Sequence, residues 1–364
     1  MIKLLRNVWK NTQKVDFYIF LQYITGYIME FESKIPGLLA HSNAKFEFRT
    51  SEHKHDLEPL KSDLAIIRSS LSKSKNGTLD YEITFPDSFL IKPLTTEQRK
   101  KLDQELAGFY ANRSVEHQKI IASVPIKESF EKMLHIPSLF QESNVSLSLS
   151  DIPFNEACGE WAGKKRVFWL RESMATRLLD LGHALSEVGL MLHVEDAYRP
   201  IGVQEGLFKR RVNWISKEHP DWAWEDVITE AKSKTAVSPR LASHKSGAAI
   251  DITLRKIVNS LPLDLGNKYP EGGALVAIDS PFVTVEQWHT RQIFANSFKM
   301  AGFTIYPGED WHASFCDNLA GVSQGSRIKD YVARYGPIKK FSLYTGEILD
   351  VYSNHEYDKF FTDN

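Results

Sequence analysis

Hydrophobic positions fall into periodic order mainly in the second half of the chain. Met174, Leu178, Leu181, Leu185 and Val188 recur at spacings of four and three, which places them on one helix face. Ser173 precedes them as an N-cap and Gly189 closes the run. Residues 190–195 (LMLHVE) read as the strand returning beneath that helix, and 166–170 (RVFWL) as a shorter β-type run before it. Further helices are predicted over 203–217 and 224–235, and a strand over 248–254 (AAIDITL). Phe294, Phe298 and Ala301 fall at i, i+4 and i+7 of another helix, ended by Gly302. Residues 303–306 and 311–315 are the last predicted strands. Strands interspersed with helices, without a regular β-α-β beat, predict an α+β fold: a small mixed or antiparallel sheet with flanking helices.

The first half is less ordered in pattern. Residues 95–111 read as a charged amphipathic helix capped by Thr96, with Leu102, Leu106 and Phe109 on one face. Residues 70–78 (SLSKSKNGT) are polar and predict a loop. Residues 17–29 are apolar but interrupted by Gln22, Thr25 and Gly26, and too short for a span that needs ~20 apolar residues. They predict a packed helix, and the extension as a whole is expected to be largely helical. The serine-rich alternation at 143–151 marks the expected boundary. Three regions follow: 1–150, an accessory region; 151–320, the region with the chemistry; and 321–364, an extension packed on it.

Composition narrows the class. At ~150 residues per domain, 364 residues suggest two domains or one with a large extension. Lys+Arg at 45 and Asp+Glu at 46 leave a net charge of −1, so no basic excess points to nucleic acid or anionic lipid. Two cysteines, Cys158 and Cys316, exclude a disulfide framework and a four-thiolate metal site. No export signal or membrane span is expected, and a cytoplasmic location follows.

Three polar clusters interrupt the apolar pattern: Asp196-Ala197-Tyr198-Arg199-Pro200 after a strand, Ser243-His244 to Asp251 around a glycine turn, and Glu309-Asp310-Trp311-His312 before a strand. Two imidazoles and one carboxylate, His244, His312 and Asp251, are a donor set that catalytic zinc takes, leaving a fourth position for water. Zinc lowers the pKa of that water to roughly 7, and a carboxylate outside the ligand set must take its proton. Glu309 lies three residues before His312, so it reaches the same water only from a turn, which Pro307 and Gly308 favour. Arg199 offers a fixed cation for a developing oxyanion. Taken singly, each residue also has a plain structural reading: Asp251 can cap a turn, and Tyr198-Arg199-Pro200 can be a solvated strand corner.

As a set, His-x-x-Gly-x-Ala-x-Asp, a following Glu-x-Trp-His and a preceding Asp-x-Tyr-Arg-Pro resemble the VanX-type D-Ala-D-Ala dipeptidases, zinc peptidases related to the VanY-type D,D-carboxypeptidases. The separations, 45 residues from Arg199 to His244 and 58 from Asp251 to Glu309, suit that family. The resemblance covers roughly residues 160–316. It implies Zn2+ held by His244, Asp251 and His312, with Glu309 as catalytic base and acid. It further implies Arg199 as transition-state stabiliser, and Asp196 supporting its loop. Two positions depart from the family pattern. Ala242 stands where a serine is usual, with Ser243 adjacent. Leu265-Gly266-Asn267-Lys268-Tyr269-Pro270 aligns with a Met-Gly-Thr-x-Phe-Asp type stretch whose aspartate helps hold the substrate ammonium, so Pro270 replaces that aspartate and Glu271 follows it. Tyr198, Asp196, Ser243 and Glu271 are the candidate substrate contacts.

The resemblance therefore implies hydrolysis of a small D-amino-acid peptide of peptidoglycan type. A carboxypeptidase acting on longer peptides is the nearest alternative, and a zinc-bearing binding module without catalysis is another, opposed by the intact Glu309. The expected partner is a small peptide, with no nucleic acid or membrane span, and with self-association possible through the N-terminal region. The His53–His55 pair lies in a charged stretch without further ligand spacing.

Overall fold

Every residue of strand β4 (Leu190–Asp196) is buried, and the sheet is built outward from it. The structure is a computed structural model describing residues 92–152, 166–353 and 356, other than 188, 237, 281 and 324. The central sheet has the order β2 (Leu147–Leu149), β4, β5 (Ala249–Lys256), β7 (His312–Ser314), β6 (Thr304–Ile305). The β2–β4 pair is parallel and the other three pairs are antiparallel, so the sheet is mixed and the fold α+β. A hairpin of β8 (Ile338–Phe341) and β9 (Ile348–Val351) and a pair of β1 (Met133–His135) with β3 (Trp169–Arg171) lie outside it.

Side chains alternate across a strand, and that alternation separates the core from the chemistry. Leu192, Val194, Ile250, Ile252, Leu254 and Ala313 join one core with Met174, Leu178, Leu181 and Leu185 of α3 (Glu172–Glu187) and Phe294 and Phe298 of α6 (Val285–Met300). Asp251 falls between Ile250 and Ile252 and takes the opposite parity. Helices α4 (Ile201–Glu218) and α5 (Trp224–Lys234) pack on each other through Val212, Ile215, Val227 and Ala231.

Several expected boundaries moved for identifiable reasons. Ser173 does not cap α3: it lies inside the helix, and Glu131 takes its hydroxyl at 3.0 Å as well as its backbone N–H. A carboxylate from another segment thus does the work expected of a local cap. The helix predicted over 95–111 is α1 (Thr96–Ser123), capped by Thr95 and not Thr96, with Gln98 completing a reciprocal capping box. The serine-rich stretch contains β2, so the sheet begins before residue 150. Residues 133–149 also supply β1 and α2 (Ile136–Glu142), and Ile136 and Phe140 enter the core of the sheet. The hairpin β8–β9 was not anticipated; Ile338 and Phe341 bury against Met133, Val167 and Tyr198. The readings at 17–29 and 70–78, the His53–His55 pair and Cys158 lie outside the described residues.

Helix α1 is tied to the site region by polar contacts along its length. Asp103 accepts the Ala274 N–H at 2.6 Å, Arg113 makes a bidentate pair with Asp279, and Tyr110 donates to the Ala274 carbonyl. Further along, His117 Nδ1 shares a hydrogen bond of 3.0 Å with the Tyr306 hydroxyl, while its Nε2 is buried without a partner among the described residues. Burial, with Arg113 adding to it, pushes the His117 imidazole down to about 3. The folded protein then refuses a proton that the unfolded chain takes near pH 6.5. Stability is complete above that pH and is lost as pH falls below it, by about 2 kcal/mol between pH 7 and pH 5. Urea denaturation at those two pH values is expected to show this component, and His117→Asn is expected to shrink the difference by a similar amount.

Candidate metal centre

The register of two strand pairs assembles the site. Asp251 on β5 lies opposite His312 on β7 and opposite Asp196 on β4, so all three share the face away from α3 and α6. His244 arrives from a 3-10 turn, Ser243–Ser246, that runs into β5. Gly247 ends that turn at φ 69°, a left-handed conformation that favours glycine, and a Cβ there would have to displace the tip of the Met133 side chain. The result is a buried group of three ligand atoms, from His244, Asp251 and His312, all within 4.8 Å of one another.

The geometry settles which imidazole nitrogen faces inward. His244 Nδ1 donates to the Ala197 carbonyl at 2.7 Å, leaving Nε2 3.2 Å from Asp251 Oδ1. His312 presents Nδ1, 2.8 Å from the same oxygen, while Nε2 lies 3.2 Å from Ser243 Oγ. Ser314 Oγ, 3.4 Å from Nε2, donates in turn to Asp317. With the outer nitrogen of each ring engaged, both inner nitrogens face one point; they donate to Asp251 when protonated and would offer lone pairs to a divalent ion when deprotonated. Burial alone would raise the Asp251 carboxyl, but His244 and His312 hold it well below the usual carboxylate range. Two nitrogens and one anionic oxygen, with no fourth protein ligand among the described residues, fit zinc with an open position.

Glu309 stands beside this group. Its N–H bonds to the Tyr306 carbonyl across Pro307 and Gly308, forming the turn expected there, and its Oε2 lies 3.8 Å from His312 Nδ1. Burial of the carboxyl end, reinforced by Asp251 and opposed by His312, pushes it up to about 7. The side chain keeps 42% of its surface open, so water moderates that rise. Arg199 is anchored at the end of β4. Asp196 takes its Nη2 at 2.7 Å and its Nε at 3.1 Å, Gln204 takes Nη1 at 3.0 Å, and Asp251 Oδ2 lies 3.7 Å away. Burial would lower its pKa, but Asp196, Tyr269 and Asp251 raise it overall, so the guanidinium stays charged. Arg166 pairs with Asp196 at 3.1 Å, so that carboxylate serves two arginines.

The expected substrate contacts fare differently. Ser243 reaches His312, and Asp196 braces Arg199. Tyr198 turns the other way: its hydroxyl donates to the Ile338 carbonyl and its ring packs with Phe341 in the β8–β9 core. Tyr198 lies past the end of β4, in the irregular segment 197–200, where it is held by the β8–β9 hairpin. Glu271 pairs with Arg99 of α1 at 3.3 Å and accepts the Lys268 N–H. Tyr269, not selected from the sequence, instead donates its hydroxyl to Asp251 Oδ2 at 3.1 Å. The sequence signal nearest to it is the departure from the family pattern at Pro270.

A second buried pair joins the loop 264–280 to the Glu309 segment. Arg291, on α6 and fully buried, pairs with Asp310 at 2.9 Å and donates to the carbonyls of Leu265, Ala277 and Leu275. Asn267 donates to the same Asp310 oxygen at 2.7 Å.

A buried metal centre on a mixed sheet, with a carboxylate and an arginine beside it, defines the class as a candidate metallohydrolase. Comparison makes this more specific. Residues 159–332 match the peptidase M15 family model, described as D-Ala-D-Ala dipeptidase. The resemblance to the VanX-type D-Ala-D-Ala dipeptidase family is thereby shown for that segment. The chain is 26% identical over 221 residues to the D-alanyl-D-alanine dipeptidase of Synechocystis sp. (strain ATCC 27184 / PCC 6803 / Kazusa), covering 53% of this chain and 87% of the relative. Among solved structures, the LdcB LD-carboxypeptidase matches at 18% identity and a TM-score of 0.32, covering 60% of this chain and 89% of that one. A mutant of the vancomycin-resistance D,D-pentapeptidase VanY, in complex with Zn(II), matches at 17% and 0.29, covering 51% and 97%.

Removing Arg291 tests whether the buried pair holds the site's walls together. Arg291→Met leaves the Asp310 carboxylate buried and uncompensated, and is expected to cost about 3–5 kcal/mol. Urea denaturation of the variant beside wild type reads this as a lowered midpoint at unchanged slope.

Proposed function

We propose that this protein is a zinc-dependent peptidase that hydrolyses a small D-amino-acid peptide of the D-Ala-D-Ala type in peptidoglycan metabolism. The observation that carries the reading is the convergence of His244, Asp251 and His312 on one point with Glu309 and Arg199 at its edge. His244, Asp251 and His312 would hold the zinc, which supplies Lewis acidity toward water and the scissile carbonyl. Glu309 takes a proton from the attacking water and returns it to the leaving amine. Burial raises that carboxyl above its ordinary value, the direction that favours both taking and returning a proton. Arg199 donates to the carbonyl oxygen as negative charge builds there, and its fixed geometry, set by Asp196 and Gln204, removes the need to reorganise during the reaction. A cytoplasmic location is part of the proposal and accords with the free thiol of Cys316. Among the described residues no helix is long and apolar enough to cross a membrane.

One observation favours a second reading, a carboxypeptidase acting on longer peptides. Pro270 carries no carboxylate for a free substrate ammonium, and the neighbouring Glu271 is already paired with Arg99. Incubating the zinc-loaded protein with D-Ala-D-Ala, N-acylated D-Ala-D-Ala and muropeptides, with products identified by mass spectrometry, separates the two. Cleavage of the free dipeptide supports the first reading, cleavage of the blocked or longer peptides alone supports the second, and no cleavage of any overturns both.

Two variants test the assigned roles. Glu309→Gln is expected to retain zinc, by metal analysis, and the wild-type melting profile, while kcat falls by about 10²–10⁴-fold. Arg199→Lys replaces a planar fork of donors with a point charge on a flexible stem. Steady-state kinetics are expected to show kcat and kcat/KM falling together by about 10²–10³-fold. A raised KM at unchanged kcat would instead assign Arg199 to ground-state binding.

A further inference from the structure

Tyr269 has no part in the chemistry set out above, yet its hydroxyl reaches the centre of the site. Its ring stands edge-on to Trp311, with centroids 5.3 Å apart, and its Oη donates to Asp251 Oδ2 at 3.1 Å. The two oxygens of Asp251 consequently have different surroundings. Oδ1 is the atom that both imidazoles approach, at 3.2 and 2.8 Å. Oδ2 is engaged by Tyr269, with Arg199 Nη2 at 3.7 Å. The loop that carries Tyr269 is braced from two sides. Arg291 binds the carbonyls of Leu265, Leu275 and Ala277 from one, and α1 contributes Asp103 to the Ala274 N–H and Arg99 to the Gly266 carbonyl from the other. The hydroxyl is therefore delivered on a fixed support.

We propose that Tyr269 is a positioning residue that holds Asp251 Oδ2 away from the metal, so that Asp251 offers the ion one oxygen; this rests on the metallopeptidase reading above. A carboxylate with its second oxygen free binds a cation through one oxygen or both. A donor fixed on that second oxygen selects the first mode and sets the plane of the carboxylate. Keeping Asp251 to one oxygen preserves the open position that hydrolysis requires. Outer partners of metal ligands commonly change affinity 10–100-fold.

The test uses the full chain, wild type and Tyr269→Phe, stripped of metal and reloaded with Co2+. Phenylalanine keeps the ring against Trp311 and removes only the hydroxyl. Thermal melting of the metal-free proteins checks that both fold. Co2+ affinity is measured by competition with a chromophoric chelator, and ligand number by the visible absorption band, which weakens as ligands are added. In the variant we expect affinity 10–100-fold lower, because Asp251 is no longer held in its binding orientation, and a weaker band, because Oδ2 is free to join the ion. If either readout stays at the wild-type value, the inference is wrong; a residue that serves only packing would leave both unmoved. Wild-type protein that takes up no Co2+ would overturn the metallopeptidase reading itself, a result distinct from an unresponsive variant.

Discussion

The buried carboxylate of Asp251 is the constraint around which the rest is arranged. An isolated anion so far from water is costly, and it persists because donors surround it. Those donors come from four separate stretches: the turn before β5, strand β7, the end of β4 and the loop after β5. Each stretch is fixed by having to reach this one side chain. Sheet register is part of the same constraint. A slip of one residue in β5 would send Asp251 toward the Phe294–Phe298 core and bring an isoleucine to the histidines.

Much of this was readable in the chain because it obeys local rules. The α3 face, its Gly189 terminus, β4, β5 and α6 follow from side-chain periodicity and glycine punctuation, and the structure has them within a few residues. Glu309 could be placed in a turn from Pro307 and Gly308 alone, since alternation in a strand would otherwise point it away from His312. What escaped the sequence depends on distant partners. Glu131 satisfies the start of α3 from 42 residues away, so no local cap signals it. The three-residue strands β1 and β2 are too short to show periodicity. Tyr198 sits among polar functional residues yet packs inward, because its partners, Ile338 and Phe341, come from a hairpin 140 residues away.

The contribution of α1 was the least legible of all. Its contacts with the loop 264–280 are made by Arg99, Asp103, Tyr110 and Arg113, of which Arg113 lies beyond the helix predicted over 95–111. Charged and aromatic tips whose partners lie in distant segments leave no periodic trace. The helix lies outside residues 159–332, the segment that matches the dipeptidase family, so part of the support for the site region comes from sequence the family model does not span.

The Arg291 fork has an implication for how such a site is used. A loop of irregular backbone would ordinarily be the part of an enzyme that shifts when substrate arrives. Here three of its carbonyls point inward to one immobile cation that is also locked to the residue after Glu309. The conformational freedom of that wall is surrendered once, during folding, and is not withdrawn again at each encounter. Under the function proposed above, recognition would work by fit to a finished shape, with the wall bearing Tyr269 and the Glu309 segment at a constant separation.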